Sequence, residues 1–452
     1  MNVAHKNITV IGAARSGLSV ARLLARHDAN VFLTDRSADT QGLTKSLAGM
    51  GIASEFGGHS ERALAADWVV ISPGVPTTAP LVQKALEKGL AVYSEIEVAS
   101  WFCKAPIVAI TGTNGKTTTT TLTGYVFEKA GRRPFVGGNI GVPFSDMADQ
   151  LDETQTVILE VSSFQLDHID RFRPKVSVML NITPDHLDRY QYQFERYAHS
   201  KYRIHQNQEA GDYAVYNADD PLLIAHFEQL DPKASFTPLG FSITNEVSQG
   251  AFLRDNNLIL RIEGQEEVLM QPEEISIRGS HNLYNSLAAA VAARVMEIRS
   301  EVIRESLSTF EGVAHRLEFV RELNGVKYYN DSKATNVNAV WYALESFTEP
   351  IILLAGGRDK GNDYLPLHKL IQEKVRVVIG VGEESGHKVV NELGCVAPEA
   401  HFAANMQDAV SLAHEMAKTG EVVLLSPACA SFDLFEHYEH RGDVFKETVQ
   451  KL

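Results

Sequence analysis

The stretch APIVAITGTNGKTT, residues 105–118, runs from an apolar segment directly into a glycine-containing turn. The apolar run predicts a buried strand, and the residues from Lys116 onward predict a helix. Glycines let backbone N–H groups approach phosphate oxygens, and the helix N-terminus adds a favourable dipole. Lys116 would then neutralise β- and γ-phosphates, and the Thr117 hydroxyl would coordinate Mg²⁺. The pattern G-x-x-x-x-G-K-[ST] has glycine where this chain has Ile110, but the strand–turn–helix context still indicates a phosphate loop.

Short apolar runs alternate with helical patterns on both sides of this loop, which predicts an α/β protein with largely parallel sheets. The chain has 452 residues, and at roughly 150 residues per domain it is expected to form about three domains. A region from about Phe236 to Val268 alternates in polarity and predicts a small antiparallel insertion. The other predicted strands are Ile8–Gly12, Val31–Asp35, a third ending at Ser72-Pro73-Gly74, VILEVSS, VSVMLNIT, GVKYYNDS, PIILLAGG, VRVVIGVG and EVVLLSPACA.

Composition excludes several classes of protein. Lys and Arg total 42 and Asp and Glu total 57, which gives a net charge of −15. This balance argues against a nucleic-acid surface, because phosphate binding requires a concentrated basic face. We expect a cytoplasmic protein without a membrane segment, because no apolar run reaches 18 residues and the first residues do not form a signal peptide. The three cysteines are far apart in sequence and predict buried small hydrophobic residues rather than disulfides.

Three further segments carry residues that could bind a ligand or a metal ion. The turn from Gly12 to Gly17 is similar to a dinucleotide fingerprint, but Ala14 replaces the second glycine, which favours a βα turn without NAD that binds either some other phosphate or none. Glu160 ends an apolar strand, where a carboxylate could hold Mg²⁺, although such residues often serve as helix caps or ion-pair partners. His186 follows the next strand and is either a metal ligand or an ordinary hydrogen-bonded histidine.

Seven motifs occur in one order across almost the whole chain, and together they resemble the Mur ligase family, ATP-dependent enzymes that extend the peptidoglycan stem peptide. These motifs are GTNGKTT, LEVSSFQL, NITPDHLDRY, SHNLYNSLAA, HRLE, NDSKATN and SPACASFD. The resemblance implies three α/β domains. They are a Rossmann-like domain for a UDP-linked substrate (residues 1–96), a central P-loop ATPase domain (97–310) and a Rossmann-like domain for an amino acid (311–452).

Three absences narrow the expected activity within the family. The loop has Asn114, whereas a GTHGKT-type loop would indicate the L-alanine-adding member. The chain also lacks the D-N-P-R motif that would indicate the member that adds diaminopimelate or lysine. Folylpolyglutamate synthases share the phosphate loop but lack this first domain. The resemblance therefore implies D-glutamate and UDP-N-acetylmuramoyl-L-alanine as substrates, with another Mur ligase or a folylpolyglutamate synthase-like ligase as the alternative. The sequence does not separate D-glutamate from D-isoglutamine or L-glutamate.

The resemblance also assigns residues to ATP and metal. Lys116, His186 and Lys201 are the expected catalytic residues, and Lys201 matches the family lysine that is carbamylated. Thr117 and Glu160 suit one Mg²⁺, whereas His186 and carbamylated Lys201 suit a second. Asn282 is expected near the adenine, with capping or core hydrogen bonding as the competing interpretation. The expected ATP-binding residues are Gly112, Thr113, Asn114, Gly115, Lys116, Thr117, Thr118, Asn282, Arg316, Asp331 and Lys333.

Two substrate sites are carried over in the same way. For the UDP-sugar, the expected residues are Ser16, Asp35, Arg36, Ser72, Pro73, Gly74 and Asn139. For D-glutamate, they are Thr335, Lys360, Ser431 and Tyr438. A dicarboxylate requires a cation and several donors, which Lys360 and two hydroxyl groups supply. We expect a monomer without nucleic-acid or membrane partners.

Two rival classes remain at this point. An NAD-dependent oxidoreductase built on the first domain would leave Lys116 and the metal-type residues unexplained. A non-catalytic, nucleotide-switched scaffold would bind ATP without substrate-dependent phosphate release.

Overall fold

The computed structural model describes residues 2–39, 42–230, 235–359 and 361–452. The chain divides into two compact units, Met1–Ile275 with Tyr284–Thr309, and Ser276–Leu283 with Phe310–Leu452. The first unit contains two sheets and the second contains one. In the described residues, no helix combines the length and apolar character needed to cross a membrane.

The first sheet has five parallel strands in the order β3-β2-β1-β4-β5. Its elements are β1 (Asn7–Ile11), α1 (Arg15–Arg26), β2 (Asn30–Asp35), α2 (Leu43–Gly49), β3 (Ala53–Phe56), β4 (Trp68–Ile71), α3 (Pro80–Glu87), β5 (Ala91–Ser94) and α4 (Glu95–Ser100). Every residue of β4 is buried, as expected for a central parallel strand covered on both faces. This strand is the fourth along the chain rather than the predicted third, because β3 is short, half-polar and not apparent from periodicity.

The second sheet has nine strands in the order β14-β13-β12-β11-β10-β9-β6-β8-β7. The strands from β7 to β12 pair in parallel, whereas β12, β13 and β14 pair antiparallel. The elements are β6 (Ile107–Thr111), α5 (Lys116–Lys129), β7 (Pro134–Gly138), β8 (Thr156–Glu160), α6 (Ser163–Leu166), β9 (Val176–Met179), α7 (Phe194–Tyr202), β10 (Tyr213–Asn217), α8 (Pro221–Glu228), β11 (Thr237–Ser242), β12 (Gly250–Arg254), β13 (Asn257–Ile262), β14 (Gln265–Met270), α9 (Ser280–Val295) and α10 (Ser300–Thr309).

The prediction of a small antiparallel insertion was partly wrong. Strands β12 to β14 are antiparallel as predicted, but β11 pairs in parallel with both β10 and β12. The segment therefore extends the edge of the nine-stranded sheet. An alternating polarity pattern predicts strands but does not reveal which neighbour a strand joins.

Strand β6 lies between β8 and β9, so the carboxyl ends of these three strands meet at one edge of the sheet. Ligands of open α/β sheets bind at this edge. The phosphate-loop motif follows β6, Glu160 ends β8, and the segment containing His186 follows β9. The topology thus brings together three motifs that are far apart in sequence.

The third sheet has six strands in the order β15-β16-β20-β17-β18-β19, all parallel except β15, which is antiparallel to β16. Its elements are β15 (Glu318–Leu323), β16 (Val326–Asn330), α11 (Val337–Glu345), β17 (Ile351–Ala355), α12 (His368–Lys374), β18 (Val375–Val381), α13 (Gly386–Glu392), β19 (Glu399–Ala403), α14 (Met406–Met416), β20 (Val422–Leu425) and α15 (Tyr438–Gln450). The predicted open parallel sheet is confirmed. Domain boundaries at 96/97 and 310/311 stay predictions.

Candidate active site

The phosphate loop has a backbone that only glycine accommodates at two positions. Gly112 and Gly115 have φ values of +153° and +85°, in the region that disfavours residues with a Cβ atom. A Cβ at Gly115 would lie 2.3 Å from Oδ1 of Asn285, and one at Gly112 would lie 2.9 Å from the Cβ of Leu180. The close approach of neighbouring atoms therefore adds to the conformational requirement.

The loop is also fixed by the segment that follows β9. The Thr113 hydroxyl donates to Thr183 O at 3.0 Å, and the Asn114 N–H donates to Asn181 Oδ1 at 2.9 Å. Lys116 Nζ donates to the carbonyls of Gly112 and Thr113 at 2.9 and 2.8 Å. The ammonium group is thus at the loop itself, as expected for a phosphate-neutralising lysine.

Glu160 joins the phosphate loop to the sheet edge. Its Oε2 accepts a hydrogen bond from the Thr117 hydroxyl at 2.7 Å, and its Oε1 accepts one from Asn139 Nδ2 at 2.9 Å. Glu160 is buried, and a Cβ at Gly138 would lie 2.5 Å from its carbonyl oxygen. A carboxylate and a hydroxyl are hard oxygen donors that suit Mg²⁺, which needs one or two protein carboxylates beside substrate phosphates. Thr117 and Glu160 therefore fit such an ion.

Lys201 is buried on α7 and donates to Gly112 O at 2.8 Å. Its Nζ lies 4.8 Å from the ring centroid of Tyr197. Burial and the positive charge of Lys116 hold the pKa of the Lys201 amine well below its usual range, although Asp185 and Glu160 oppose this shift. This shift is toward the unprotonated amine, which is the form that reacts with CO₂.

His186 lies at the start of a short 3₁₀ helix, Leu187–Tyr190, with a left-handed φ of +50°. Its side chain is 45% exposed, and its Nε2 lies 3.8 Å from Asp185 Oδ2. In the described ranges, no group of three or more His, Cys, Asp or Glu side chains is arranged to hold a metal.

An open cleft of about 220 Å³ brings together five of the seven residues predicted for the UDP-sugar. These residues are Ser16, Ser72, Pro73, Gly74 and Asn139. Because Asn139 also bonds Glu160, the cleft and the phosphate loop meet at one carboxylate.

Asp35 and Arg36 do not line this cleft. Arg36 is exposed, and the Asp35 carboxylate accepts from Ala13 N at 2.6 Å and Ser37 N at 2.7 Å. Burial opposes ionisation of Asp35, but these hydrogen bonds dominate and lower its pKa. Asp35 therefore stabilises the turn before α1, and its expected contact with the UDP-sugar stays a prediction.

In the second unit, Asp331 follows β16 and is fully buried. Its Oδ1 lies 3.8 Å from Arg316 NH1 and accepts from Leu317 N at 3.3 Å, and its Oδ2 accepts from Ser426 Oγ at 2.8 Å. Burial raises the pKa of Asp331 to about 6, although Arg316 and the hydrogen bonds lower it. The predicted nucleotide residues Arg316 and Asp331 are thus close together.

Lys333 and Tyr438, predicted for different substrates, are also neighbours. Lys333 Nζ donates to Tyr438 OH at 3.2 Å and lies 5.1 Å from the ring centroid. Thr335 N donates to Lys333 O at 2.9 Å, and Ser431 is buried. Lys360 lies outside the described residues.

Asn282 Nδ2 donates to Arg278 O at 2.8 Å. Asn285 Oδ1 accepts from Thr119 Oγ1 at 3.1 Å and lies beside Gly115. Asn285 therefore supports the phosphate loop, and the adenine contact of Asn282 stays a prediction.

Several supporting residues were not among the predicted site residues. Tyr197 is the clearest, because its OH lies 3.0 Å from Thr113 Oγ1 and its ring lies beside Lys201. A sequence signal was available, since Tyr197 precedes Lys201 by four residues and such residues share a helix face. Asn181, which pairs with Asn114 through two hydrogen bonds, could have been found from its position after a strand.

The fold and this site define an α/β protein with a phosphate loop at the edge of its nine-stranded sheet and a largely parallel sheet on either side of that segment in the chain. Three family models match the sequence: "Mur ligase MurD-like, N-terminal domain" at residues 6–94, "Mur ligase middle domain" at 110–293, and "Mur ligase, glutamate ligase domain" at 315–429. The chain belongs to the Mur ligase family, which confirms the resemblance and the three-domain α/β architecture.

Curated relatives match over the full length. The chain is 55% identical to the UDP-N-acetylmuramoylalanine–D-glutamate ligase of Salinibacter ruber, with 100% of this chain and 99% of the relative covered. It is 47% identical to the ligase of the same name from Chloroherpeton thalassium, with the same coverage. A solved pseudomurein peptide ligase type C from Methanothermus fervidus is similar with a TM-score of 0.61 at 20% identity, over 99% of this chain and 100% of that one. At that identity the likeness shows a shared fold.

Proposed function

We propose that this protein is an ATP-dependent ligase that adds D-glutamate to UDP-N-acetylmuramoyl-L-alanine in peptidoglycan precursor synthesis. The observation that carries the proposal is the position of Glu160, whose two oxygens bond Thr117 of the phosphate loop and Asn139 of the cleft. A nucleotide phosphate and the acid end of a cleft-bound substrate would therefore meet at this carboxylate. The names of the full-length relatives support the same substrates.

The reaction must activate a carboxylate, because oxide is a poor leaving group. The γ-phosphoryl group of ATP would pass to the L-alanyl carboxylate, which gives an acyl phosphate and ADP. The amine of D-glutamate would then attack the acyl carbon, lose a proton and displace phosphate as the amide forms. Lys116 would neutralise phosphate charge, and the loop N–H groups would orient the chain of phosphates.

Mg²⁺ bound by Thr117 and Glu160 would supply charge neutralisation at the phosphate oxygens. We further propose a second Mg²⁺ site at His186, and carbamylation of Lys201. Burial, which favours the unprotonated form of the Lys201 amine, supports carbamylation, because CO₂ adds to an unprotonated amine and gives an anionic group. A carbamate would also place a negative charge beside the Lys116 ammonium.

A phosphate-release assay tests the activity. The protein is given ATP, Mg²⁺ and UDP-N-acetylmuramoyl-L-alanine, together with D-glutamate, L-glutamate, D-isoglutamine, L-alanine or diaminopimelate in turn. We expect release with D-glutamate that requires both substrates, and release with another amino acid in preference would contradict the assignment. Phosphate release that depends on neither substrate, or no phosphate release with any of the amino acids, would favour the nucleotide-switched scaffold.

Two variants connect the assay to the structure. Glu160→Gln should reduce the rate about 100-fold, because it removes a charge from the phosphate-transfer site. Glu153→Gln, on an exposed residue of the loop before β8, is the matched control and should leave the rate unchanged.

The proposed substrate pool implies a cytoplasmic enzyme, and we propose that it acts as a monomer. Sedimentation of the active protein across a concentration range would test the monomer, and a mass that increases with concentration would contradict it.

A further inference from the structure

Arg189 connects the central domain to the loop that borders the UDP-sugar cleft. Its NH1 donates to Pro73 O at 2.8 Å and its NH2 donates to Gly74 O at 3.0 Å. Both acceptors belong to residues that line the cleft. The planar guanidinium group matches two neighbouring carbonyls in a way that a lysine ammonium does not.

The same side chain also contacts the two segments that contain the proposed metal ligands Glu160 and His186. The Arg189 guanidinium lies 4.1 Å from the ring centroid of Phe164, which follows Glu160 by four residues. The Phe164 ring contacts the His186 ring edge-on, with centroids 5.3 Å apart. Arg189 N also donates to His186 O at 3.0 Å.

Partial burial of the Arg189 guanidinium costs desolvation free energy, which its contacts must offset. Arg189 is partly buried, and burial lowers the pKa of its guanidinium, although Asp188 and Tyr190 oppose the shift. A charged donor to a carbonyl is stronger than a neutral one, and a cation over an aromatic ring adds attraction. The contacts therefore hold one spacing between the cleft loop and the His186 segment.

We propose that Arg189 is a positioning residue for the sugar-nucleotide: it fixes the Pro73–Gly74 backbone relative to His186, so that a bound substrate extends from the cleft toward the phosphate-transfer site. This inference rests on the proposed function. It assigns no chemical step to Arg189 and predicts a selective effect on one of three substrates.

The test compares Arg189→Lys with Arg203→Lys. Arg203 is a matched control, because it also donates to two carbonyls, Asp167 O and Ile169 O, both at 2.6 Å, but both lie in the central domain. Arg189→Lys should raise the KM for UDP-N-acetylmuramoyl-L-alanine about tenfold, the effect of losing one charged hydrogen bond. The KM values for ATP and D-glutamate should change less than about twofold. Arg203→Lys should leave all three KM values unchanged.

Calorimetric titration of each variant with UDP-N-acetylmuramoyl-L-alanine, without ATP, should give the same tenfold weakening for Arg189→Lys. If that variant does not fold, Phe164→Leu keeps the arginine and removes its aromatic support, with an expected KM increase of about threefold. Unchanged sugar-nucleotide KM, or an equal rise for ATP, would overturn the role of Arg189 while the proposed function stands. A wild-type protein that neither binds the sugar-nucleotide nor releases phosphate with it would overturn both.

Discussion

The Nζ atom of Lys201 lies 2.8 Å from the carbonyl oxygen of Gly112, so a buried amine on α7 contacts the first residue of the phosphate loop. Lys116 Nζ donates to the same carbonyl at 2.9 Å. Two lysine amines that share one acceptor repel each other when both are charged, and this repulsion and burial both lower the pKa of Lys201. The unprotonated form of the amine is therefore favoured at Lys201 more than at an exposed lysine.

This relationship predicts the response of Lys201→Ala. The variant should lose about 100-fold in rate, because it lacks the anion that we propose forms by carbamylation. Formate or acetate at high concentration should restore part of the rate by occupying the vacated space. The measurement is phosphate release with both substrates present.

Lys129→Ala is the control, because Lys129 is exposed in the last turn of α5. Its rate of phosphate release should equal that of the wild type and should not change when formate or acetate is added. Full activity of Lys201→Ala would contradict the catalytic role, and loss without rescue by any short carboxylate would contradict carbamylation.

Gly115→Ala should damage ATP binding as well as stability. The left-handed φ costs about 1–2 kcal/mol for a residue with a Cβ, and the new atom would also lie 2.3 Å from Asn285 Oδ1. Gly131→Ala is the matched control, because Gly131 has φ +73° with nothing within 4 Å of the added atom. We expect both variants to unfold more easily in denaturant, but only Gly115→Ala to raise the KM for ATP. Equal KM values would show that the loop relaxes around the extra methyl group.

The free energy of unfolding should depend on Glu95 between about pH 4.5 and 7. Glu95 is fully buried, its Oε1 accepts from Ser145 N and Oγ at 2.6 Å, and its Oε2 has no hydrogen-bond partner in the described part of the chain. Burial raises the pKa of Glu95 to about 7 from 4.5, although the Ser145 hydrogen bonds lower it. The folded state therefore retains a proton that the unfolded chain loses as the pH rises through this window.

Stability contributed by Glu95 must then fall as the pH rises from about 4.5 to 7. Glu95→Gln should remove this dependence. The free energy of unfolding of the variant, relative to that of the wild type, should therefore increase by roughly 3 kcal/mol as the pH rises across the window. Denaturation with urea at several pH values measures the difference, which cancels other titrating groups. A constant difference from pH 5 to 8 would contradict the assignment.

Cys429→Ala should affect the amino acid selectively. The buried Cys429 Sγ lies 3.2 Å from Tyr364 OH and 3.5 Å from Asn362 Nδ2, two residues before Ser431 of the proposed amino-acid pocket. Removal of the thiol takes a hydrogen-bond partner from the buried Tyr364 hydroxyl, at a cost of about 1–3 kcal/mol. We expect a KM for D-glutamate several-fold higher with little change for ATP, whereas Cys395→Ala, on an exposed cysteine, should change neither. Equal effects of the two substitutions on KM would contradict a role for Cys429 at the pocket.

Much of the fold was predictable because each strand–turn–helix unit records itself locally. The residues around Lys116 predicted the phosphate loop from glycine spacing and a preceding apolar strand, and the structure contains that loop between β6 and α5. Short or half-polar strands such as β3 and β19 were missed, because their stability comes from neighbouring strands rather than from their own sequence.

The sequence by itself determined the class of fold, the phosphate-binding loop and the family, because these depend on residue order and on spacings within one segment. Only the tertiary structure decided that Asn139 and Thr117 share Glu160, that the Tyr197 hydroxyl contacts Thr113, and that Arg189 reaches Pro73 and Gly74. These contacts join residues from separate strands and loops. Their distances depend on strand order and loop geometry, which a linear pattern of polarity does not specify.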